Sequence, residues 1–199
     1  MKRDVLYRVE VHGFALEEAL KCGLMYCDPP WNQGMETLFR GNVGLPKSKT
    51  FLDLLRRIVE VGRNARYGAF IEMGAQELGN LDMAVREAGG RLSQTFRVTY
   101  CRRRPSFLVY AVWRSELDLL DAADGMDDSV TPLWALGKLE RDGGFFRAID
   151  PCCGRGLTVT SADMLGMPCA GIELDPRKMA VTVSLLMRSG NRMLEKDAI

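Results

Sequence analysis

Apolar and polar positions along this chain switch repeatedly between a two-residue and a helical period, and each switch marks an element. Leu24-Met25-Tyr26-Cys27 is a short apolar run that stops abruptly at Asp28-Pro29-Pro30. From Phe51 to Val61 apolar residues recur at helical spacing, with Arg56 and Arg57 on the other side. Ala69 to Met73 reads as a strand, and Leu78 to Ala88 as a helix stopped by Gly89-Gly90. Leu92 to Tyr100 and Phe107 to Trp113 are both β-rich, and Cys101 to Ser106 lies between them, which predicts an antiparallel hairpin with a basic tip. The acidic stretch Glu116 to Asp128 reads as a flexible surface loop. Pro132 suits the first turn of a helix that starts after Thr131-Pro132. Ala148-Ile149 then leads into Asp150-Pro151, a helix follows Gly156, Cys169 to Ile172 is a strand, and a helix runs from Pro176 to about Arg188. Strands alternating with helices predict an α/β sheet. The pattern contains no internal repeat and no second-domain boundary, so one domain over 1–199 is expected.

Composition narrows the class. A chain of 199 residues with 47% apolar and 27% charged residues suits one soluble globular domain with a sizeable core. No apolar run is long enough to span a bilayer, and polar residues follow Met1 too soon for a signal peptide, which predicts a cytoplasmic protein and no membrane partner. The net charge of +1 supplies no global field for nucleic acid, so any such surface must be local. The six cysteines include no CxxC pair and the only histidine is His12, so neither a metal site nor a disulfide framework is implied. His12 reads as structural, and Met164, Met167, Met179 and Met187 as packing residues.

Two constellations carry chemistry. The first is Asp150-Pro151-Cys152-Cys153-Gly154-Arg155-Gly156 followed by Gly171-Ile172-Glu173-Leu174-Asp175: strand, glycine-rich turn, helix, strand, acid. Glycines let the backbone approach a ligand, and an acid at the next strand end can accept from ribose hydroxyls. Val159 and Thr158 follow Gly156 without the third glycine of a dinucleotide loop. A phosphate-free, cationic nucleoside such as S-adenosylmethionine fits a loop with Asp150 in front of it. Incidental glycines in a strand-to-helix turn are the plainer alternative.

The second constellation is Asp28-Pro29-Pro30-Trp31 at the end of an apolar strand. The double proline removes two N–H donors and leaves carbonyl oxygens free. An exocyclic amine is a poor nucleophile because its lone pair is delocalised into the ring. The Asp28 carboxylate and the Pro29 carbonyl could hold both amino protons and direct that lone pair at a methyl donor, while Trp31 offers a face for an extruded base. A proline-rich strand exit with a buried tryptophan is the alternative.

Together these constellations resemble the catalytic and cofactor motifs of the DNA amino-methyltransferases, in the order catalytic first and cofactor last, the permuted arrangement called the beta class. The resemblance extends over nearly the whole chain, from Val11 to Leu16, through Leu54 to Met73 and Asp128 to Leu133, with Asp150 to Asp175 as its closest part. It implies S-adenosylmethionine as cofactor and a Rossmann-like fold: a mixed, mostly parallel sheet of about seven strands, helices on both faces and an antiparallel hairpin at one edge. Asp28, Pro29, Pro30 and Trp31 would be catalytic. Phe14, Asp28, Thr131, Asp150, Pro151, Cys152, Gly154, Gly156, Glu173, Leu174 and Asp175 would meet the cofactor; Cys152 and Cys153 match loop positions, not nucleophiles. Lys47, Lys49, Arg102, Arg103 and Arg104 are candidate nucleic-acid contacts, with solvated loops as the alternative.

Three departures from the family stand out. Phe14 occupies a position where many relatives carry an acid, Asp128 to Pro132 matches its motif loosely, and no long insert between Trp113 and Thr131 supplies a recognition domain. The expected substrate is N6 of adenine in DNA, because aspartate at the first motif position is the more usual in adenine-modifying relatives. Cytosine N4, RNA, and a non-catalytic subunit that binds nucleic acid or a partner stay open, and a homodimer or a recognition partner is expected to complete the protein.

Overall fold

The computed structural model describes residues 4–8, 19, 21–45, 50–101, 104–119, 123–141, 147–188 and 193–197. In chain order its elements are β1 (Asp4–Arg8), β2 (Cys22–Cys27), α1 (Gln33–Asn42), α2 (Phe51–Asn64), β3 (Ala69–Met73), α3 (Leu78–Glu87), β4 (Arg91–Tyr100), β5 (Arg104–Val112), α4 (Thr131–Arg141), β6 (Arg147–Asp150), α5 (Leu157–Met164), β7 (Cys169–Glu173), α6 (Pro176–Arg188) and β8 (Met193–Asp197). The strands form one sheet in the order β4-β5-β3-β2-β6-β7-β1-β8. Neighbours pair in parallel except at β5, which runs against both β3 and β4. The mixed, mostly parallel α/β class expected from the sequence is therefore what the chain adopts.

Alternation along the central strands divides the core between the two faces of the sheet. Met25, Cys27, Ile71 and Val109 pack on one face with Leu55 and Ile58 of α2 and Leu81 and Val85 of α3. Leu24, Tyr26, Phe70 and Tyr110 pack on the other with Leu136 of α4, Val159 of α5 and Met179 of α6. Leu55 and Ile58 are fully buried, so truncating either to alanine costs about 2–5 kcal/mol.

Four expectations are corrected. The sheet has eight strands among the described residues, not about seven, because β1 and β8 form its far edge from segments whose short apolar patterns carried no strand signal. The hairpin turns more tightly than its polar tip suggested: Tyr100 pairs with Arg104, so Arg104-Pro105-Ser106 begin β5. The described part of the acidic segment is tied to β4 and is not a free loop. Arg97 N–H donates to the Asp124 carboxylate, Thr99 N–H donates to Met126 C=O, and Asp128 N–H donates to Thr99 C=O. Those bonds occupy backbone groups that an edge strand otherwise leaves open. Finally, Met164 and Met187 are exposed (75% and 68%), whereas Met179 is a core residue.

Candidate active site

All the parallel strands end on one edge of the sheet, the place where open α/β sheets bind ligands. There a cavity of ≈ 730 Å³ is lined by Asp28 just past β2, Glu72 near the end of β3, Tyr100 and Arg104 at the hairpin turn, Asp150 ending β6 and Glu173 ending β7. β2 and β6 are direct parallel neighbours, with Met25 opposite Ile149. That single pairing brings Asp28 to Trp31 and Asp150 to Gly154 onto one cavity from opposite ends of the sequence.

The Asp28 side is braced by its own motif. Trp31 Nε1 donates to Asp28 Oδ1 at 2.9 Å, and the indole meets the Tyr100 ring edge-on at 4.8 Å between centroids. Immediately afterwards Asn32 caps α1, its side chain accepting from Met35 N–H at 2.9 Å. Burial pushes the Asp28 carboxyl up to about 6; the Trp31 hydrogen bond and the Lys178 ammonium pull it down, and the Asp128 charge adds to the rise. Trp31 is thus held at its edge, a role beyond the stacking face the sequence suggested. Pro29 and Pro30 line the same wall.

The β6 side is a backbone cradle. Asp150 is buried, its Oδ1 accepting from Cys152 N–H at 2.9 Å, and burial raises it to about 7 against opposing hydrogen bonds from Thr158 and Cys152. Gly154 adopts φ +55° with open space at its Cβ position and lines the cavity with Pro151, Cys152, Cys153 and Leu174. Glu173 accepts from Asp175 N–H at 2.7 Å; burial raises its carboxyl, while N–H groups of Asp175, Gly154 and Leu174 and the Lys178 charge oppose the rise. One carboxylate therefore ties the turn after β6 to the turn after β7.

Beneath the Asp28 side lies a buried polar chain that the sequence did not reveal. Ser106 Oγ donates to Glu72 Oε1 at 3.0 Å, Tyr26 Oη meets Glu72 Oε2 at 3.1 Å, and Tyr26 Oη and Thr131 Oγ1 share a bond of 2.7 Å. Thr131 Oγ1 also donates to Asp128 C=O at 3.1 Å. Burial first, then the Asp28 charge, lifts Glu72 to about 8.

Three expected cofactor contacts stand outside the lining. Thr131 is wholly buried in the polar chain, Gly156 packs behind the loop against Thr182, and Asp175 accepts from Arg177 N–H at 2.9 Å at the start of α6. Arg104 is on the cavity lining, at an exposed position. Phe14, Lys47, Lys49, Arg102 and Arg103 lie outside the described residues. Residues the sequence reading passed over also line the cavity: Tyr26, Glu72, Tyr100, and Lys178, whose ammonium sits 4.1 Å from the Phe39 ring centroid. The i, i+3, i+4 spacing of Met35, Leu38 and Phe39 after Asn32 was the available signal for α1, whereas nothing local marks Lys178.

No helix among the described residues is long and apolar enough to cross a membrane. No family model matches the chain, and no curated protein matches it in sequence. Its structure is similar to that of TTHA0409, a putative DNA modification methylase from Thermus thermophilus complexed with S-adenosyl-L-methionine (15% identity, 98% of this chain, 99% of that one, TM-score 0.68). It is likewise similar to an M1.HpyAVI–SAM complex (14%, 92% and 100%, 0.64) and to the cytosine-N4-specific PvuII DNA methyltransferase (10%, 92% and 86%, 0.58). At such low identity the likeness concerns architecture: the chain has the Rossmann-like fold of the S-adenosylmethionine-dependent methyltransferases.

Proposed function

We propose that this chain transfers a methyl group from S-adenosylmethionine to an exocyclic amino group of a DNA base, with N6 of adenine as the preferred acceptor. The observation that carries this reading is the convergence of Asp28-Pro29-Pro30-Trp31 and the Asp150–Gly154 loop on one cavity at the carboxyl edge of the sheet. The cavity suits the cofactor on three counts. Its volume lies in the range of small-molecule sites, Gly154 leaves room for close backbone approach, and Asp28, Asp150 and Glu173 are carboxyls that burial holds above their usual range, so a cation relieves them. When bound, S-adenosylmethionine supplies an electrophilic methyl on a positively charged sulfur.

The chain's own groups do the rest. Glu173 and the Gly154 backbone hold the nucleoside end, and Asp150 keeps the loop in shape through Cys152 N–H. Asp28 and the Pro29 carbonyl accept hydrogen bonds from the target amine and orient its lone pair, and the Asp28 carboxylate takes the proton that methylation releases. Tyr100 and Trp31 frame the entrance for an extruded base. The motif order corresponds to the permuted, beta-class arrangement. No long insert separates Trp113 from Thr131 in the sequence, so sequence reading is assigned to Arg104, Lys47, Lys49, Arg102 and Arg103 or to a partner, a second copy included.

Cytosine N4 is the second reading, favoured by the similarity to a cytosine-N4-specific enzyme. Incubation with labelled cofactor and DNA or RNA, followed by digestion to nucleosides, tests both. N6-methyladenine from DNA is expected, and its absence with Asp28→Ala. N4-methylcytosine alone keeps the chemistry and changes the base; cofactor and DNA binding without transfer turns the protein into a binding subunit.

A further inference from the structure

Cys27, the last residue of β2, pairs with Ile71 of β3, so the next residue of each chain, Asp28 just past β2 and Glu72 in β3, follows directly on that pair. Both line the cavity, and Glu72 is only 1% exposed. Burial and then the Asp28 charge raise the Glu72 carboxyl, so the two carboxylates cannot both ionise without cost. Resting on the methyl-transfer reading, we propose that Glu72 is a positioning residue: it carries the one proton of the Asp28–Glu72 pair and so leaves Asp28 as the anion that receives the amine.

Counting donors supports this division. With Glu72 neutral, Ser106 gives to Glu72, Glu72 to Tyr26, Tyr26 to Thr131 and Thr131 to Asp128 C=O, which makes four bonds. With Glu72 ionised, Tyr26 must turn its only proton to Glu72 and Thr131 must turn to Tyr26, which leaves three. The protonated acid is thus the form that completes the chain.

The surroundings separate the pair in the same sense. Facing Glu72 are Tyr26 of β2, Asp28 just past it, Ser106 of β5 and Asp128 before α4, with Thr131 reached through Tyr26; Tyr100 and Arg104 at the hairpin turn and Lys178 of α6 line the same cavity. Asp28 receives the Trp31 indole N–H and the Lys178 charge, both favouring its anion, whereas burial and the like charges of Asp28 and Asp128 raise Glu72. The two carboxyls lie at about 6 and about 8, so between those values the pair holds one proton.

Two measurements test the assignment. The first is kcat/KM for methyl transfer against pH in wild type, Glu72→Gln and Glu72→Ala. A bell-shaped wild-type profile is expected. Glu72→Gln, which keeps the neutral form, should lose the alkaline limb and retain the acid limb, while Glu72→Ala should lose activity by more than tenfold relative to Glu72→Gln. An alkaline limb that persists in Glu72→Gln overturns the proposal. The second, which needs no turnover, follows the infrared band of the protonated carboxyl in wild type, identified by its loss in Glu72→Gln. It should be present at pH 7, and in Asp28→Asn it should titrate at lower pH. A Glu72 ionised at pH 7, or one indifferent to Asp28→Asn, overturns the proposal. If wild type transfers no methyl, the functional reading fails while the infrared titration still decides the pairing.

Discussion

At the residue scale the decisive side chain is Asp28, and its behaviour depends on Trp31. The contiguous Asp28-Pro29-Pro30-Trp31 run made the candidate legible, because the chemistry needs adjacent residues. The indole N–H donated to Asp28 could not be read, since it depends on the turn that the prolines and the Asn32 cap impose. Asp28→Asn is expected to lower the rate of methyl transfer at least about 100-fold, the lower bound for losing a positioned proton acceptor. Trp31→Phe keeps an aromatic face but removes a hydrogen bond that helps hold the buried Asp28 carboxyl down to about 6. The Asp28 carboxyl then rises further, its anion is lost at higher pH, and the acid limb of kcat/KM must move upward. Near pH 6 the loss relative to wild type is about tenfold, shrinking towards pH 8. Equal losses at both pH values would reduce Trp31 to a stacking surface.

At the element scale the glycine-rich turn between β6 and α5 separates two residues that look alike in sequence. Gly154 and Gly156 both read as cofactor-loop glycines, and only their tertiary neighbours distinguish them. At Gly154, φ +55°, an added Cβ meets nothing closer than Cys152 O at 3.9 Å, and the residue faces the cavity. At Gly156, φ +84°, it would fall 2.3 Å from Thr182 Cγ2 of α6. Gly156→Ala should therefore destabilise the fold by about 1–3 kcal/mol through backbone strain alone, with more from the clash; Thr182→Ala in the same chain should recover part of that loss. Gly154→Ala carries backbone strain too but no clash, and should in addition weaken cofactor binding, which Gly156→Ala should not do directly. Thermal unfolding beside calorimetric titration of both variants separates the two; a Gly156→Ala protein as stable as wild type would remove the packing role. The hydrogen bonds of the chain Ser106–Glu72–Tyr26–Thr131 escaped the sequence reading for a related reason. Their partners come from β3, β5 and the entry to α4, more than 30 residues apart, and no local pattern encodes such meetings.

At the scale of the whole molecule the sheet order explains how a nearly neutral chain builds an acidic cavity. The alternating periods were enough to anticipate an α/β sheet, and the family resemblance implied mostly parallel strands, but neither gave its outer edge, where β1 and β8 are short and come from opposite ends of the chain. Because β2, β3, β6 and β7 all end on one side, their terminal acids gather there. Asp28, Glu36, Glu72, Asp128, Asp150 and Glu173 face Arg40, Arg104, Arg155 and Lys178, six acids against four bases, although the whole chain is +1. A cationic ligand entering this cavity stabilises the ionised form of the carboxyls beside it, so their pKa values must fall on binding and protons must leave. Asp28 at about 6 and Asp150 at about 7 are the groups that titrate near neutrality, which fixes the window. Below it both are protonated in the free protein, and binding must first remove those protons; above it they are already anionic, and no further gain remains. Affinity for S-adenosylmethionine should accordingly rise about tenfold from about pH 5 to about pH 7, below the titration of the ligand's own α-amino group. Calorimetry in two buffers of different ionisation enthalpy should register net proton release in that interval. S-adenosylhomocysteine, which lacks the positive sulfur, should release fewer protons, and Asp28→Asn should remove the part of the release centred near pH 6. Binding whose affinity and heat are indifferent to pH and buffer across this range would mean that the carboxyl edge of the sheet does not meet the cation.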